Sequence, residues 1–345
     1  MGYLTIDGSY GEGGGQLSRY AVALAAITRR PLRLVNIRSR RARPGLMPQH
    51  LAALRAAAAV GGGALYGDEL GSIEVRFTPG RIRGGEYRFD VGTAGSVVLV
   101  LQALLPVALH ADSPVELTVT GGTDVRMAPP LDYFRMIFLP WLARMGVRVH
   151  IQAARHGYYP RGGGLIRLRV EPCPSPSPLE AATPGRLVRI GGVSHVAHLP
   201  PDIAARMASA ASCALAGYEP VQIEERRLGR GDAFGSGGAL VLVAETGNSF
   251  LGSATVAQRG VPAEELGRQA GQSLRAELEA GAAMDTHACD QLLLYAAQAA
   301  GPSRLLVREV SEHSRTVMWL VEQFLPVSFR VETRQGLYPI EVAPG

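Results

Sequence analysis

The chain has 345 residues, of which 47% are hydrophobic and 19% charged, with a formal net charge of +5. This composition excludes a disordered chain, and the length is that of about two domains. No apolar run is long enough to span a membrane and no signal-peptide pattern opens the chain, so a cytoplasmic protein without a membrane partner is expected.

The cations carry more information than the net charge. All 35 basic residues are arginines. Without lysine, a Walker-type phosphate loop, Schiff-base chemistry and lysyl-nucleotidyl transfer are excluded, because the guanidinium stays protonated and clamps anions rather than attacking. Nucleophile candidates reduce to His, Cys, Ser and the carboxylates. Cys173, Cys213 and Cys289 show no CxxC spacing and imply neither a disulfide framework nor a zinc site. The mildly basic balance suits an acidic partner such as nucleic acid.

In chain order, a strand over Tyr3–Ile6 is followed by the turn Gly8–Gly15, with Glu12 inside it, and by an all-round apolar helix over Gln16–Ile27. Glycine lets this backbone approach a ligand, and the helix start offers unpaired N–H groups to an anion such as phosphate. Glu12 reads either as a metal ligand beside that phosphate or as a solvated turn acid. Next come a strand over Leu32–Ile37, the loop Arg38–Leu46, a helix over Gln49–Val60, and strands near Ile73–Phe77 and Tyr87–Val91. The loop holds Arg38, Arg40, Arg41 and Arg43, either a phosphate clamp or a solvated charged stretch.

The pattern then recurs. A small-residue turn, Gly92–Ser96, leads into the apolar helix Val97–Leu109, a strand at Val115–Thr120, the loop Gly121–Asp124, an amphipathic helix over Pro130–Met145, and strands at Val147–Ile151 and Leu165–Val170. Between the last two lies His156–Gly164, whose tyrosines and arginine suit either stacking on a nucleobase or a packed hairpin turn.

The Pro/Ser-rich stretch Cys173–Pro184 reads as a linker. Residues 185–279 carry strands near 187–190, 221–225, 239–245 and 250–257 and helices near 202–216 and 263–280, enough for a small α+β layer. A third copy of the first pattern then places Asp285–Gln291 in a turn before the helix Leu292–Ala300, a strand at Arg304–Val310, the loop Ser311–Thr316, a helix to Phe324 and a strand at Val327–Val331. The expected fold is therefore α+β in layers, with three repeated αβ units. A catalytic body spans 1–184 and 280–345, and an inserted domain spans 185–279. Similar turns in stacked units converge on one rim, bringing Glu12, the arginine loop, Gln102, Asp124, His287 and His313 together. Both histidines sit where imidazole either attacks phosphorus or caps a helix.

The ordered set of motifs resembles the RNA 3′-terminal phosphate cyclase family. It comprises Asp7–Gln16, Arg43-Pro44-Gly45-Leu46, Gly92–Ser96 with Gln102, Gly121–Asp124, His156–Pro160, Asp290-Gln291-Leu292 and Phe324–Val327. The resemblance implies a body like the C-terminal domain of a bacterial translation initiation factor and like half of an enolpyruvyl transferase. It implies ATP as substrate, a divalent metal, Mg or Mn, and RNA with a 3′-terminal phosphate as partner. In that scheme ATP adenylylates a histidine, AMP passes to the RNA 3′-phosphate, and the 2′-hydroxyl closes a 2′,3′-cyclic phosphate with release of AMP.

By matched position the resemblance implies His313 as the nucleophile, eleven residues before Phe324, and the following roles. The nucleotide contacts are Gln102, Pro130, Arg19 and the segment His287-Ala288-Cys289-Asp290-Gln291. Glu12 is the metal or triphosphate contact, and Arg38, Arg41, Arg43 and Gln49 are the RNA or phosphate contacts. The chain departs from the family after the nucleophile, where Ser314, Arg315, Thr316 and Val317 replace apolar residues, Thr and Asn, and at Cys289, where a small residue such as Ala is usual. The alternative reading is a non-catalytic RNA-binding ribosome-assembly paralogue of the same fold. A full enolpyruvyl transferase needs two lobes and lysine chemistry, which this chain lacks. The oligomeric state, a homodimer among the options, is not legible from the sequence.

Overall fold

The computed structural model describes residues 2–345. Three sheets, two of four strands and one of five, carry most of the chain. The first comes from β1 (Leu4–Asp7), α1 (Gly15–Thr28), β2 (Leu32–Val35), α2 (Pro48–Val60), β3 (Ala64–Tyr66) and β4 (Val75–Thr78), in strand order β1-β2-β4-β3. The second comes from β5 (Gly85–Asp90), α3 (Val97–Ala108), β6 (Val115–Gly121), a helical segment of α4 (Leu131–Tyr133), a π-turn (Phe134–Phe138) and α5 (Leu139–Arg144), then β7 (Val149–Gly157) and β8 (Gly164–Val170). Its order is β5-β6-β8-β7, extended at the β7 edge by a short later strand.

A fourth sheet interrupts the series. After β9 (Glu180–Ala181) come β10 (Leu187–Ala197), α6 (Asp202–Ala214), β11 (Val221–Leu228), β12 (Ala233–Phe234), β13 (Gly237–Thr246), β14 (Phe250–Val256) and α7 (Ala263–Ala280). These give the sheet β11-β10-β13-β14, while β12 pairs with β7. The chain ends with α8 (Thr286–Ala296), β15 (Ser303–Val307), α9 (Glu312–Glu322), β16 (Val327–Val331) and β17 (Tyr338–Pro344), and the last sheet runs β9-β15-β17-β16. In each of the three large units the first two strands pair in parallel and the fourth strand lies between the second and third.

The helices of these units face one another. Every residue from Gln16 to Ala26 of α1 is buried, as are nearly all of α3 and Ala288–Ala296 of α8. That is why these segments are apolar on all faces rather than striped. The sheets close around them and form one large apolar core.

β13 is buried on both faces, which gives it its unbroken apolar run. Leu240, Leu242 and Ala244 face a second cluster with α6 and α7, whereas Val241 and Val243 join the main core.

Asp285 fastens the two together. Its Oδ1 accepts from the Tyr133 hydroxyl at 2.6 Å and from Ala288 N–H at 3.0 Å, and its Oδ2 accepts from Gly252 N–H at 2.9 Å. One carboxylate thus caps α8 and holds β14 and α4.

Several expectations change. Asp285–Gln291 is not a turn preceding a helix at Leu292; with Asp285 as cap, α8 begins at Thr286. Likewise Ser311 caps α9, so the expected loop Ser311–Thr316 is helical from Glu312. The stretch read as a linker is docked: Leu179 and Ala181 are buried and β9 pairs with β15. β10 extends well past Ile190 because Gly191 and Gly192 stay in register with β13. β17, mixed in polarity and not expected, is the strand between β15 and β16.

Replacing Asp285 with Ala removes a cap and strands two buried donors, so urea unfolding should show a loss of roughly 2–4 kcal/mol. Asp285→Asn, which keeps an acceptor oxygen, should lose less.

Candidate functional site

A cleft of about 700 Å³ opens where helix starts converge. Its walls take Gly15, Gln16 and Arg19 from α1, Gln49 and His50 from α2, Leu99 and Gln102 from α3, His287, Asp290 and Gln291 from α8, and His313 from α9. All lie in the first two turns of their helices, so positive helix ends face the cavity. Because α1, α3 and α8 are apolar along their lengths, their polar chemistry is confined to these ends. The segment Val125–Pro130, Tyr133, and Ala254–Val256 with Gln258 complete the lining.

The α1 start is the least satisfied. Gly14 caps it without a side-chain hydrogen bond, and its first turn has no acid. One turn further, Arg19 is 5% exposed and its Nε has no partner. Burial lowers its guanidinium to about 10, still protonated at neutral pH. A buried cation without a counter-ion is costly unless an anion meets it. Arg38 and Arg41 line the same wall.

Before α1 the turn brings acid and base together. His313 Nδ1 lies 3.4 Å from Glu12 Oε2, and Arg41 Nη2 donates to the same oxygen at 3.2 Å. Two contacts hold the turn against α9. Tyr10 stacks on Trp319 with ring centroids 3.7 Å apart, and Gly11, at φ +59°, lies over Thr316, where a Cβ would strike the threonine hydroxyl. His313 is half exposed, while Ser311 Oγ and Ser314 Oγ both donate to Asp290 Oδ1, at 2.5 and 2.7 Å. Burial raises the Asp290 carboxyl above its ordinary value, and those two hydroxyls offset part of the rise. The unusual Ser314 is therefore a buried partner of Asp290, and it also lies 3.7 Å from Cys289 Sγ.

The expected site residues separate into two groups. Glu12, Arg19, Arg38, Arg41, Gln49, Gln102, Pro130, His287, Asp290, Gln291 and His313 line the cleft. Ala288 and Cys289 do not, because they face the core side of α8 and are fully buried; burial also pushes the Cys289 thiol well up. Arg43 is exposed and does not line the cleft; its carbonyl accepts from Arg38 Nη1. Asp124 was expected on the rim, but it is buried against His156, with its Oδ2 2.7 Å from Nδ1. Tyr158 is buried in the β7–β8 hairpin turn, leaving only Tyr159 exposed for stacking.

Gln102 donates to Gln291 at 2.7 Å and Gln291 to the His287 carbonyl at 2.8 Å, which fixes an amide ladder along one wall. Such a ladder presents hydrogen-bonding edges suited to a nucleobase.

His50 was missed in the sequence, where it reads as one more helix residue. Its Nδ1 accepts from Met47 N–H at 3.2 Å, and a Cβ on Gly15 would collide with its ring. Burial, then Arg19 and Arg38, lower its pKa from 6.5 to about 3. The unfolded chain therefore takes up this proton below about pH 6.5 and the folded chain only near 3, so stability is lost as pH is lowered across that window. His50→Gln should flatten the pH dependence of Tm there, removing up to about 1.4 kcal/mol per pH unit.

Comparison with known proteins matches this architecture along its length. The family described as RNA 3′-terminal phosphate cyclase matches residues 10–331. The RNA 3′-terminal phosphate cyclase of Nitrosospira multiformis is 50% identical over 339 residues, covering 98% of this chain and 96% of its own. Those of Pyrobaculum neutrophilum and Methanopyrus kandleri are each 45% identical, the first covering 98% of this chain and 97% of its own, the second 97% of both. Among solved structures, the enolpyruvyl transferase NikO from Streptomyces tendae aligns at a TM-score of 0.28 with 18% identity over 49% of this chain and 33% of its own, too little to argue from. Among the described residues no helix is long and apolar enough to cross a membrane. The identity to the cyclases runs through all three large units and the sheet between them, and the chain belongs to the RNA 3′-terminal phosphate cyclase family, enzymes of the ligase class.

Proposed function

We propose that this enzyme uses ATP to convert an RNA 3′-terminal phosphate into a 2′,3′-cyclic phosphodiester through an adenylylated His313. The observation that carries this reading is the pairing of His313 with Glu12 in a cleft that is also lined by the buried Arg19, whose Nε has no partner. With Nδ1 turned to Glu12, Nε2 is the nitrogen free to attack, and the carboxylate steadies the cation that forms.

The proposed chemistry has three displacements. His313 Nε2 bonds to the α-phosphorus and the α–β P–O bond breaks, releasing pyrophosphate. An oxygen of the RNA 3′-phosphate then takes the adenylyl group from the imidazole. Finally the 2′-hydroxyl attacks the 3′-phosphorus and AMP leaves, a ring closure favoured by its fixed proximity.

Phosphoryl transfer is mainly positioning and charge neutralisation. The α1 N–H groups, Arg19, Arg38 and Arg41 suit the phosphates, and the Gln102–Gln291 ladder suits adenine. A divalent metal fits beside Glu12, because one carboxylate with phosphate oxygens is a usual set for Mg²⁺; when bound it supplies charge neutralisation at the phosphates. We further infer that the three units of common strand order are copies of one αβ unit, with 185–279 inserted between β9 and α8 of the third.

Incubation with α-labelled ATP and metal should give acid-labile, base-stable label on the protein, absent in His313→Ala and reduced but present in His287→Ala. Folded protein that takes no label, or label that survives in His313→Ala, overturns the nucleophile; in the first case RNA binding without catalysis is the remaining reading. Gly11→Val should push the turn off Thr316 and part Glu12 from His313. Adenylylation by the folded variant is expected to fall on the order of 100-fold, with Tm lowered because valine is strained at φ +59°; an unchanged rate would show that the turn does not set the pairing.

A further inference from the structure

A second polar cluster lies outside the cleft, where the β10–β13 sheet meets the second large unit. Asp124 follows β6, Asp132 is in α4, His156 is in β7 and His195 is in β10. All four are buried, with His195 only 1% exposed. The His156 and His195 rings are 4.4 Å apart between centroids.

The cluster is conspicuously under-bonded. Asp124 Oδ2 takes His156 Nδ1 at 2.7 Å and the Thr123 hydroxyl at 2.6 Å, but Asp124 Oδ1 has no partner. Asp132 Oδ2 and His195 Nδ1 stand 3.4 Å apart without forming a hydrogen bond. His195 Nε2 and the Tyr158 hydroxyl are unpartnered as well. Each buried polar atom left this way costs about 1–3 kcal/mol, and native interiors hold few. Five in one contact zone call for a shared partner.

One ligand atom from each of Asp124, His156 and His195 lies within 4.8 Å of the others. We infer that these three residues, with Asp132 beside them, form a binding site for a zinc-class divalent ion, separate from the cleft. Two imidazoles and a carboxylate match the N/O donors of zinc and its transition-metal neighbours, while Mg²⁺ and Ca²⁺ prefer all-oxygen sets. A divalent ion also balances the two buried carboxylates. The enclosure of the site marks it as structural.

Its position gives it a consequence. Asp124 and Asp132 bracket Val125–Pro130, a continuous run of cleft wall. Ligation fixes the Asp124 end of that wall, beside Asp132 at its other end, and ties β10 to β7 without touching the cleft contents. This holds whatever chemistry His313 performs.

The test uses the full chain stripped by a chelator and then titrated with Co²⁺. One equivalent with visible d–d absorption is expected, unchanged in Glu12→Gln/His313→Asn, where cleft ligands are gone, and lost in His195→Gln and Asp124→Asn. Zn²⁺ should displace the Co²⁺ and, at an excess near a hundredfold over Kd, raise Tm by about 5 °C. Folded wild-type protein that shows no such absorption and no shift in Tm with zinc overturns the site. So does absorption that persists in both His195→Gln and Asp124→Asn. The wild-type readings decide the matter even if a variant fails to fold.

Discussion

Burial of α1, α3 and α8 on every side is the constraint from which the rest follows. A helix enclosed by apolar neighbours has nowhere along its length to carry a polar group, so its unsatisfied N–H groups and its charged side chains gather at the end that reaches solvent. Two of the enclosed helices begin after caps supplied by Ser96 and Asp285, whereas α1 begins after Gly14 with no side-chain cap. The cleft forms where these ends meet, and the uncapped one faces the buried Arg19.

The second requirement is registration between the first turn of the chain and α9 near its end. Glu12 and His313 meet because Tyr10 lies flat on Trp319 and Gly11 lacks the Cβ that would collide with Thr316. Arg41 adds its charge to the same carboxylate. At exposed positions such ion pairs contribute little to stability. Their value here is geometric, since they fix which ring nitrogen of His313 faces the cleft. Arg19 contributes differently, as a cation held dry and ready for an anion.

The layer made by β10–β14, α6 and α7 contributes more than a lid. β14 supplies Ala254–Val256 to the cleft, Gly252 binds Asp285, and β10 carries His195 into the buried cluster with Asp124 and His156. The same sheet packs Val241 and Val243 into the main core. The two apolar clusters therefore share one strand, and polar contacts at two points set their relation.

Much of this was legible in the sequence, and the rest was not for identifiable reasons. The all-round apolar runs announce α1 and α3 almost to their ends, and the glycine turn announces close backbone approach. The starts of α8 and α9 were misplaced, because Asp285 and Ser311 read equally well as loop residues until their cap bonds are seen. β17 was missed because Pro339 and Pro344 lie within it and leave only Ile340-Glu341-Val342 alternating. Asp124 looked like a rim acid, and nothing local says that His156 would take it inward. His50 gave no signal at all, since its role depends on Arg19 and Gly15 from another helix.

By itself the sequence determined the available chemistry: arginine as the sole strong cation, no lysine nucleophile, two histidines near helix starts, and segments too apolar to sit anywhere but inside. These are properties of residue type and short-range period. Tertiary structure alone decided which acid met which base, placing Glu12 with His313 and Asp124 with His156. Such pairings depend on how distant elements pack, through contacts like Tyr10 on Trp319, and no local pattern carries that information.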